Sequence, residues 1–323
     1  MRTTRGTTYL VTGAAGFIGS HVVDTLLARG DRVVGVDNFD SYYDPAIKWG
    51  NIDRARRSRN FMIVEGDIRN RDLMERLMRD YGVTSVIHLA ARAGVRPSID
   101  NPLLYQSVNV EGTNVLLEAM RRVGVKRMVF ASSSSVYGDR EEAPFRETDI
   151  VDTPISPYAA TKKAGELICH SYHHLFDLDI ACVRLFTVYG PRQRPEMAIH
   201  LFTRLIATGQ EVPMYGDGTT ARDYTYVADA VQGILAVEKN FSGFQVVNIG
   251  ESRTVRLRYL IETIAREFGH PVHIRSMPMQ GGDVRLTNAD ISVARSLGYC
   301  PSTSIEQGIH AFVEWFQTHR VAA

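Results

Sequence analysis

The chain has 323 residues, 44% of them hydrophobic, and 37 Lys and Arg against 36 Asp and Glu leave a formal net charge of +1. That balance gives no support to a nucleic-acid surface or an anionic-membrane surface, and no uninterrupted apolar stretch reaches membrane-spanning length. The length suits one large α/β unit with a second lobe, and Cys169, Cys182 and Cys300, odd in number and widely spaced, fit free thiols in a reducing compartment better than a disulfide scaffold.

Met1 to Thr7 lacks the apolar core of a signal peptide, so a cytoplasmic protein is expected. Thr8 to Thr12 is a short apolar run suited to a buried strand. Gly13-Ala14-Ala15-Gly16-Phe17-Ile18-Gly19 follows at once, and then a helical stretch from Ser20 to Ala28. Glycines at intervals of three let the backbone turn tightly, approach a pyrophosphate and pack a helix on a strand, with the helix N-terminus facing the phosphates. A plain tight turn is the alternative. The next apolar run, Val33 to Val36, ends in Asp37, at about the distance where an acid bonds an adenosine ribose. Asp37 would repel a 2′-phosphate, so the expected cofactor is NAD rather than NADP.

Further strands are expected at Phe61 to Glu65, Ser85 to His88, Arg127 to Ala131 and Asp179 to Val183, with helices near Arg71 to Tyr81, Leu103 to Arg122 and Pro157 to Phe176. Strict alternation of this kind predicts an α/β fold with a doubly wound parallel sheet of Rossmann type. In the last helix, Ser156 is a good N-cap and Pro157 a good first residue, which puts Tyr158 in the first turn and Lys162 one turn along the same face. An ammonium beside a phenol favours the ionised phenol, so the pair reads as a proton-transfer device. An ordinary amphipathic helix start gives the same spacing by chance.

From Arg184 the pattern loosens, with Pro191, Pro195, Pro213, Gly216 and Gly218 marking loops and arginines scattered among them. A smaller mixed α/β lobe over an anionic substrate is expected in 184–323, after a nucleotide-binding domain in 1–183. The apolar strand Gln245 to Ile249 suggests that the chain revisits the sheet around 224–250 and 286–299. His173 and His174 lie on a helix surface without a ligand cluster, so no metal site is expected.

Five segments together carry a resemblance over nearly the whole chain: T-G-A-A-G-F-I-G-S at Thr12 to Ser20, H-L-A-A at His88 to Ala91, S-S-S-S-V-Y-G at Ser132 to Gly138, Y-A-A-T-K at Tyr158 to Lys162, and R-D-Y-T-Y-V at Arg222 to Val227. They resemble the extended short-chain dehydrogenase/reductase family, in its nucleotide-sugar epimerase branch. The resemblance implies that Tyr158 is the catalytic base, that Lys162 holds the nicotinamide ribose and tunes Tyr158, and that Ser133 bonds the reacting sugar hydroxyl with Ser134 beside it. It implies an NAD site from Gly13, Gly16, Phe17, Ile18, Gly19, Asp37 and Asn38, the adenine-contacting pair Asp67 and Ile68, and Leu89, Ala90 and Ala91. It also implies a buried Asn109 and a homodimer paired through the helices at Leu103 to Arg122 and Pro157 to Phe176.

The serine run bears on reaction type. In the resemblance, 4,6-dehydratases place an Asp-Glu pair here and decarboxylating relatives a Glu, because each moves a proton at carbon 5. Ser133, Ser134 and Ser135 cannot do that, which leaves oxidation and re-reduction at carbon 4 unless Glu141, Glu142 or Glu147 supplies an acid. Segments Asp37 to Lys48, Ala91 to Ile99 and Phe186 to Ala198 look like the UDP-glucuronate 4-epimerases. A hexuronate brings a carboxylate, for which Arg192 is the first candidate, with Arg194, Arg96 and Thr187 behind it. Arg222, Tyr215, Asp283 and the Val212 to Met214 segment are expected to fix the UDP end, and the small Thr287 leaves room for an N-acetyl group. The alternatives are a 4-epimerase of UDP-glucose or UDP-N-acetylglucosamine, a UDP-glucuronate decarboxylase, a net dehydrogenase, and an NAD-sensing regulator.

Overall fold

The computed structural model describes residues 7–269, 271–278 and 284–319. Six strands of one parallel sheet come from residues 8–185: Thr8–Thr12 (β1), Arg32–Asp37 (β2), Phe61–Glu65 (β3), Ser85–His88 (β4), Arg127–Ser133 (β5) and Asp179–Leu185 (β6). After three short strands, Thr187–Tyr189 (β7), Val212–Tyr215 (β8) and Ala221–Tyr226 (β9), the chain returns with Phe244–Ile249 (β10) to complete a seven-stranded sheet in the order β10-β6-β5-β4-β1-β2-β3. All its pairings are parallel. Because the order reverses between β1 and β4, the carboxyl ends of these two strands open the crevice where such sheets bind ligands.

Both faces of the sheet are covered, which is why its strands read as continuous apolar runs. Alternate residues of β1 serve different layers. Tyr9 and Val11 pack with Val22, Val23 and Leu26 of Phe17–Ala28 (α1), while Leu10 faces the layer that holds Leu73, Met74 and Leu77. Pro45–Asn51 (α2) follows β2 and Arg71–Asp80 (α3) follows β3. The expected helix over 103–122 is present, and it carries a π-helical segment. Val95–Asp100 (α4) and Pro102–Tyr105 (α5) precede a π-helical segment, Gln106–Glu111, and only then comes Gly112–Val123 (α6). Within the π segment, Asn109 Oδ1 accepts from Arg92 N at 2.8 Å, and its Nδ2 donates to Arg92 O and Thr161 Oγ1, both at 3.0 Å. These bonds pin the loop after β4 to Pro157–Phe176 (α7).

The region beyond residue 184 is regular rather than loose. Ala198–Ala207 (α8), Leu257–Phe268 (α10) and Ile305–Thr318 (α12) enclose a separate core around Phe202, Leu260, Ile264 and Phe312. Val227–Asn240 (α9) and Ser292–Ser296 (α11) pack instead with α1 and β10 on the main sheet. Thr254–Arg256 (β11) joins β9 and β7 in a three-stranded sheet, and Ile274–Met277 (β12) pairs with β8. Elements this short carry too few residues for a periodic signal.

Behind the end of β5 lies a buried polar network. Glu166 on α7 accepts from Arg184 Nε and Nη2, both at 2.8 Å, and from Ser132 Oγ at 2.6 Å. Arg184 in turn lies over the Tyr137 ring, whose hydroxyl donates to Asn248 Oδ1 at 2.7 Å. The network ties β5, β6, β10 and α7 together directly beneath the serine run.

Candidate active site

The glycine turn is built for close approach. Gly13 has φ +69°, and a Cβ there would stand 2.8 Å from Ala90 N, while one on Gly19 would stand 2.0 Å from Gly13 O. α1 therefore starts directly on the turn at Phe17, earlier than the expected Ser20, and Gly13, Gly16, Phe17, Ile18 and Gly19 line one end of a long cavity. Asp37, Asn38, Asp67 and Ile68 line the same cavity beyond β2 and β3, and Leu89, Ala90 and Ala91 line it beyond β4. This backbone cradle and a carboxylate at the end of β2 fit a dinucleotide such as NAD.

Asp37 is already engaged. Its carboxylate accepts from Phe39 N at 2.9 Å and Ala15 N at 3.2 Å, and the buried Lys48 ammonium stands 3.7 Å away. Lys48 also lines the cavity, a residue the sequence reading did not assign. Asp37→Ala, with Asp37→Asn as the shape-conserving control, should narrow the NAD preference, because Lys48 is left without its counter-charge and free to attract a 2′-phosphate. Dissociation constants for NAD and NADP measure this. Equal binding of both by the unmodified protein would remove Asp37 as the discriminator.

The proton-handling group sits at the middle of the cleft. Ser156 caps α7 by accepting from Ala159 N, Pro157 is its first residue, and Tyr158 and Lys162 face the cavity with Ser133 and Ser134. Tyr158 N is held by Ser98 Oγ at 3.1 Å, and its ring meets Tyr105 edge-on at 6.2 Å. The electrostatics differ from expectation. Burial pushes the Tyr158 phenol up from its ordinary value, and the two groups that pull it down are Ser133, by a hydrogen bond, and Arg194, by its charge. Lys162 donates to Ala131 O at 2.7 Å, over the Phe130 ring, and burial lowers its pKa to about 8. The lysine thus anchors to β5, and the tuning charge on Tyr158 comes from another element. Ser133 Oγ accepts from Ser135 N at 3.2 Å and donates to Ser135 Oγ at 3.1 Å, and both residues line the cleft.

A second cavity joins the first, and Tyr42, Ser134, Ser135, Thr187, Arg194 and Met197 line both. Arg96, Arg222 and Thr287 line the second alone. Arg96 lies over the Tyr215 ring at 5.3 Å, so Tyr215 backs the cavity wall. Two expectations need correction. Arg192 lines neither cavity: it has φ +67°, and its Nη2 pairs with Asp24 of α1 at 2.9 Å. Val212 and Met214 are 0% and 1% exposed in the α8/α10 core, so their side chains cannot touch a ligand. Asp283 lies outside the described residues.

The acids considered for a second proton transfer stand elsewhere. Glu141 and Glu142 are exposed, Glu147 Oε1 accepts from Asn248 N, and none of them lines either cavity. Glu196, which does line the second cavity, is paired with Arg194 at 2.8 Å. Tyr42 was also missed. The guanidinium groups of Arg92 and Arg194 lie 4.8 and 5.7 Å from its ring centre, and Arg92 is bonded to Asp40. The only signal for either was position within segments whose neighbours carried the motif. Among the described residues, no group of three His, Cys, Asp or Glu side chains could hold a metal ion, and no helix is long and apolar enough to cross a membrane.

A doubly wound parallel sheet, a glycine cradle and a Ser-Tyr-Lys group at its crevice define an NAD-dependent extended short-chain dehydrogenase/reductase. More narrowly, the chain belongs to the family described as GDP-mannose 4,6 dehydratase, whose profile matches residues 10–312. It is 43% identical over 309 residues to a UDP-glucuronate 4-epimerase of Thermodesulfobacterium geofontis, with 95% of each chain covered. The structure is similar to the UDP-glucuronic acid 4-epimerase of Bacillus cereus in complex with UDP-glucuronic acid and NAD, at a TM-score of 0.91 and 35% identity, covering 96% of this chain and 99% of that one. It is nearly as similar to a dTDP-glucose 4,6-dehydratase of Streptomyces venezuelae, at a TM-score of 0.90, 32% identity and coverage of 97% and 98%. Fold alone therefore does not separate the two chemistries, and the residues of the cleft must.

Proposed function

We propose that the protein interconverts UDP-glucuronate and UDP-galacturonate by transient oxidation at carbon 4. The observation that carries this reading is the junction of the two cavities, where Arg194 and Thr187 face a run of serines instead of acids beside Tyr158. A carboxylate-bearing sugar has a cationic partner there, and no carboxylic acid in the serine run can move the carbon-5 proton as dehydration requires. Of the arginines, Arg194 suits the substrate carboxylate best, since it lines both cavities and its charge reaches Tyr158.

Bound NAD supplies reversible two-electron oxidation of carbon 4. Tyr158 takes the 4-hydroxyl proton as carbon 4 is oxidised and returns it on reduction, while Ser133 bonds the same oxygen. Lys162, fixed on Ala131 O, suits the nicotinamide ribose. Inversion needs the keto sugar to turn over about its link to the diphosphate, so the UDP end must be held more firmly than the sugar. Arg222 and Arg96, at the wall of the second cavity, suit the diphosphate.

The protein is expected to act as a homodimer in the cytoplasm. Leu103, Leu167 and Leu175, at 76%, 57% and 66% exposure, put apolar side chains on α5 and α7, within the helices that pair subunits in the resemblance. The three cysteines are free thiols, two of them buried, which suits a reducing compartment. Incubation with NAD and, separately, UDP-glucuronate, UDP-glucose and UDP-N-acetylglucosamine, with products identified by NMR, tests the function. UDP-galacturonate should form from UDP-glucuronate. Failure to convert UDP-glucuronate, with turnover of either neutral sugar, would overturn the substrate assignment.

A further inference from the structure

The geometry points to a positioning latch, made by His21 and Asp24 of α1 with Pro191 and Arg192, that holds Arg194 at the cavity junction and so sets the preference for a uronate. The inference rests on the reading of Arg194 as the carboxylate partner. His21 and Asp24 lie three residues apart on one face of the helix that frames the cofactor cavity. The His21 Nε2–H donates to Pro191 O at 2.9 Å, since a carbonyl can only accept, and Asp24 Oδ2 pairs with Arg192 Nη2 at 2.9 Å. Both ion-pair partners are largely enclosed, with side chains 26% and 21% exposed. His21 meets Phe17, a residue of the cofactor cavity wall, edge-on at 6.1 Å. A continuous set of contacts therefore runs from that wall to the loop.

The far side of the same loop is fixed as well. Gln193, 2% exposed, donates from Nε2 to Val188 O at 3.2 Å and accepts at Oε1 from His200 N at 3.2 Å. The His200 Nδ1–H donates to Gln193 O at 2.7 Å. Residues 191–193 are thus clamped between α1 and α8, and the next residue, Arg194, lines both cavities, where its Nε pairs with Glu196 Oε1 at 2.8 Å. Without the α1 contacts the loop keeps its α8 anchor but loses the one that fixes its height over the cofactor cavity. A guanidinium binds a carboxylate well only over a narrow range of directions, so a small displacement is felt in uronate binding first.

Titration calorimetry on the NAD-loaded protein tests this with UDP-glucuronate and UDP-glucose as ligands. Asp24→Asn and Arg192→Ala should each weaken UDP-glucuronate binding by about three- to thirty-fold, the range for residues that act through another. UDP-glucose binding and NAD content should hardly change. Arg192→Lys should retain most of the selectivity, and the double variant should be no worse than either single one, because both remove one contact. Should Arg192→Ala fail to fold, the isosteric Asp24→Asn carries the same comparison. Equal weakening for both sugars would reduce the contact to general support and overturn the latch, as would loss of NAD without loss of selectivity, or no change. Arg194→Ala run alongside separates the two ideas. If it weakens uronate binding and the latch variants do not, only the latch falls. If it does nothing, the reading of Arg194 falls, and the latch with it.

Discussion

Tyr158→Phe should lower turnover by about a hundred-fold or more, the usual contribution of a positioned general base, while NAD and UDP-sugar binding stay largely intact. The substitution removes one oxygen and keeps the ring, so the edge contact with Tyr105 and the cap of α7 at Ser156 are preserved. It also gives a pH signature. Burial raises the phenol, so its ionised fraction grows throughout the neutral range, and kcat/KM of the wild type should rise with pH over that range. In Tyr158→Phe that rise should be absent. Lys162→Met should add a loss of cofactor affinity, because it takes away the cation that anchors to Ala131 O beside Ser132. More than about a tenth of wild-type turnover in Tyr158→Phe would remove the base assignment, since the loss would be far below that expected of a general base.

The parts of this site that could be read in the sequence are those whose chemistry is local. The glycine turn, the acid at the end of β2 and the capped Tyr-x-x-x-Lys helix each depend on contacts between residues close in the chain, and the parallel strands announce themselves as buried apolar runs. What could not be read depends on long-range partners. The π-helical segment inside the helix expected over 103–122 holds Asn109, which bonds backbone atoms of a loop before it. Arg192 and Arg194 share the same motif, and the partner of Arg192, Asp24, stands on a helix much earlier in the chain. Val212 and Met214 were expected at the UDP end, but their side chains enter a core made with α8 and α10. Lys162 sits one turn from Tyr158, yet a carbonyl on β5 captures its ammonium. Spacing fixed which residues could meet, and packing fixed which did.

Arg194→Ala should cost UDP-glucuronate about 1.5–3 kcal/mol of binding, the worth of a charge-assisted hydrogen bond, or roughly ten- to a hundred-fold in kcat/KM. A second effect adds to this. Glu196, paired with Arg194 at 2.8 Å, would be left as an uncompensated carboxylate in the same cavity and would repel the substrate's own. Arg194→Ala/Glu196→Gln should therefore recover part of the loss, and the recovered part measures the repulsion. The variant should also change the product. Oxidation at carbon 4 makes the uronate a β-keto acid, whose bond to the carboxylate breaks when it aligns with the ketone π system. The bonding pair then forms an enolate at carbon 5, and carbon dioxide leaves. A guanidinium that holds the carboxylate near the carbonyl plane prevents that alignment, and the serine run offers no carboxylic acid to protonate the enolate. In Arg194→Ala the carboxylate is no longer held near the carbonyl plane and solvent water can protonate carbon 5, so UDP-pentose and carbon dioxide should leak during turnover. A variant as efficient as wild type on UDP-glucuronate would move the carboxylate role to Arg96 or Thr187, and a slow variant with no pentose would leave Arg194 with binding alone.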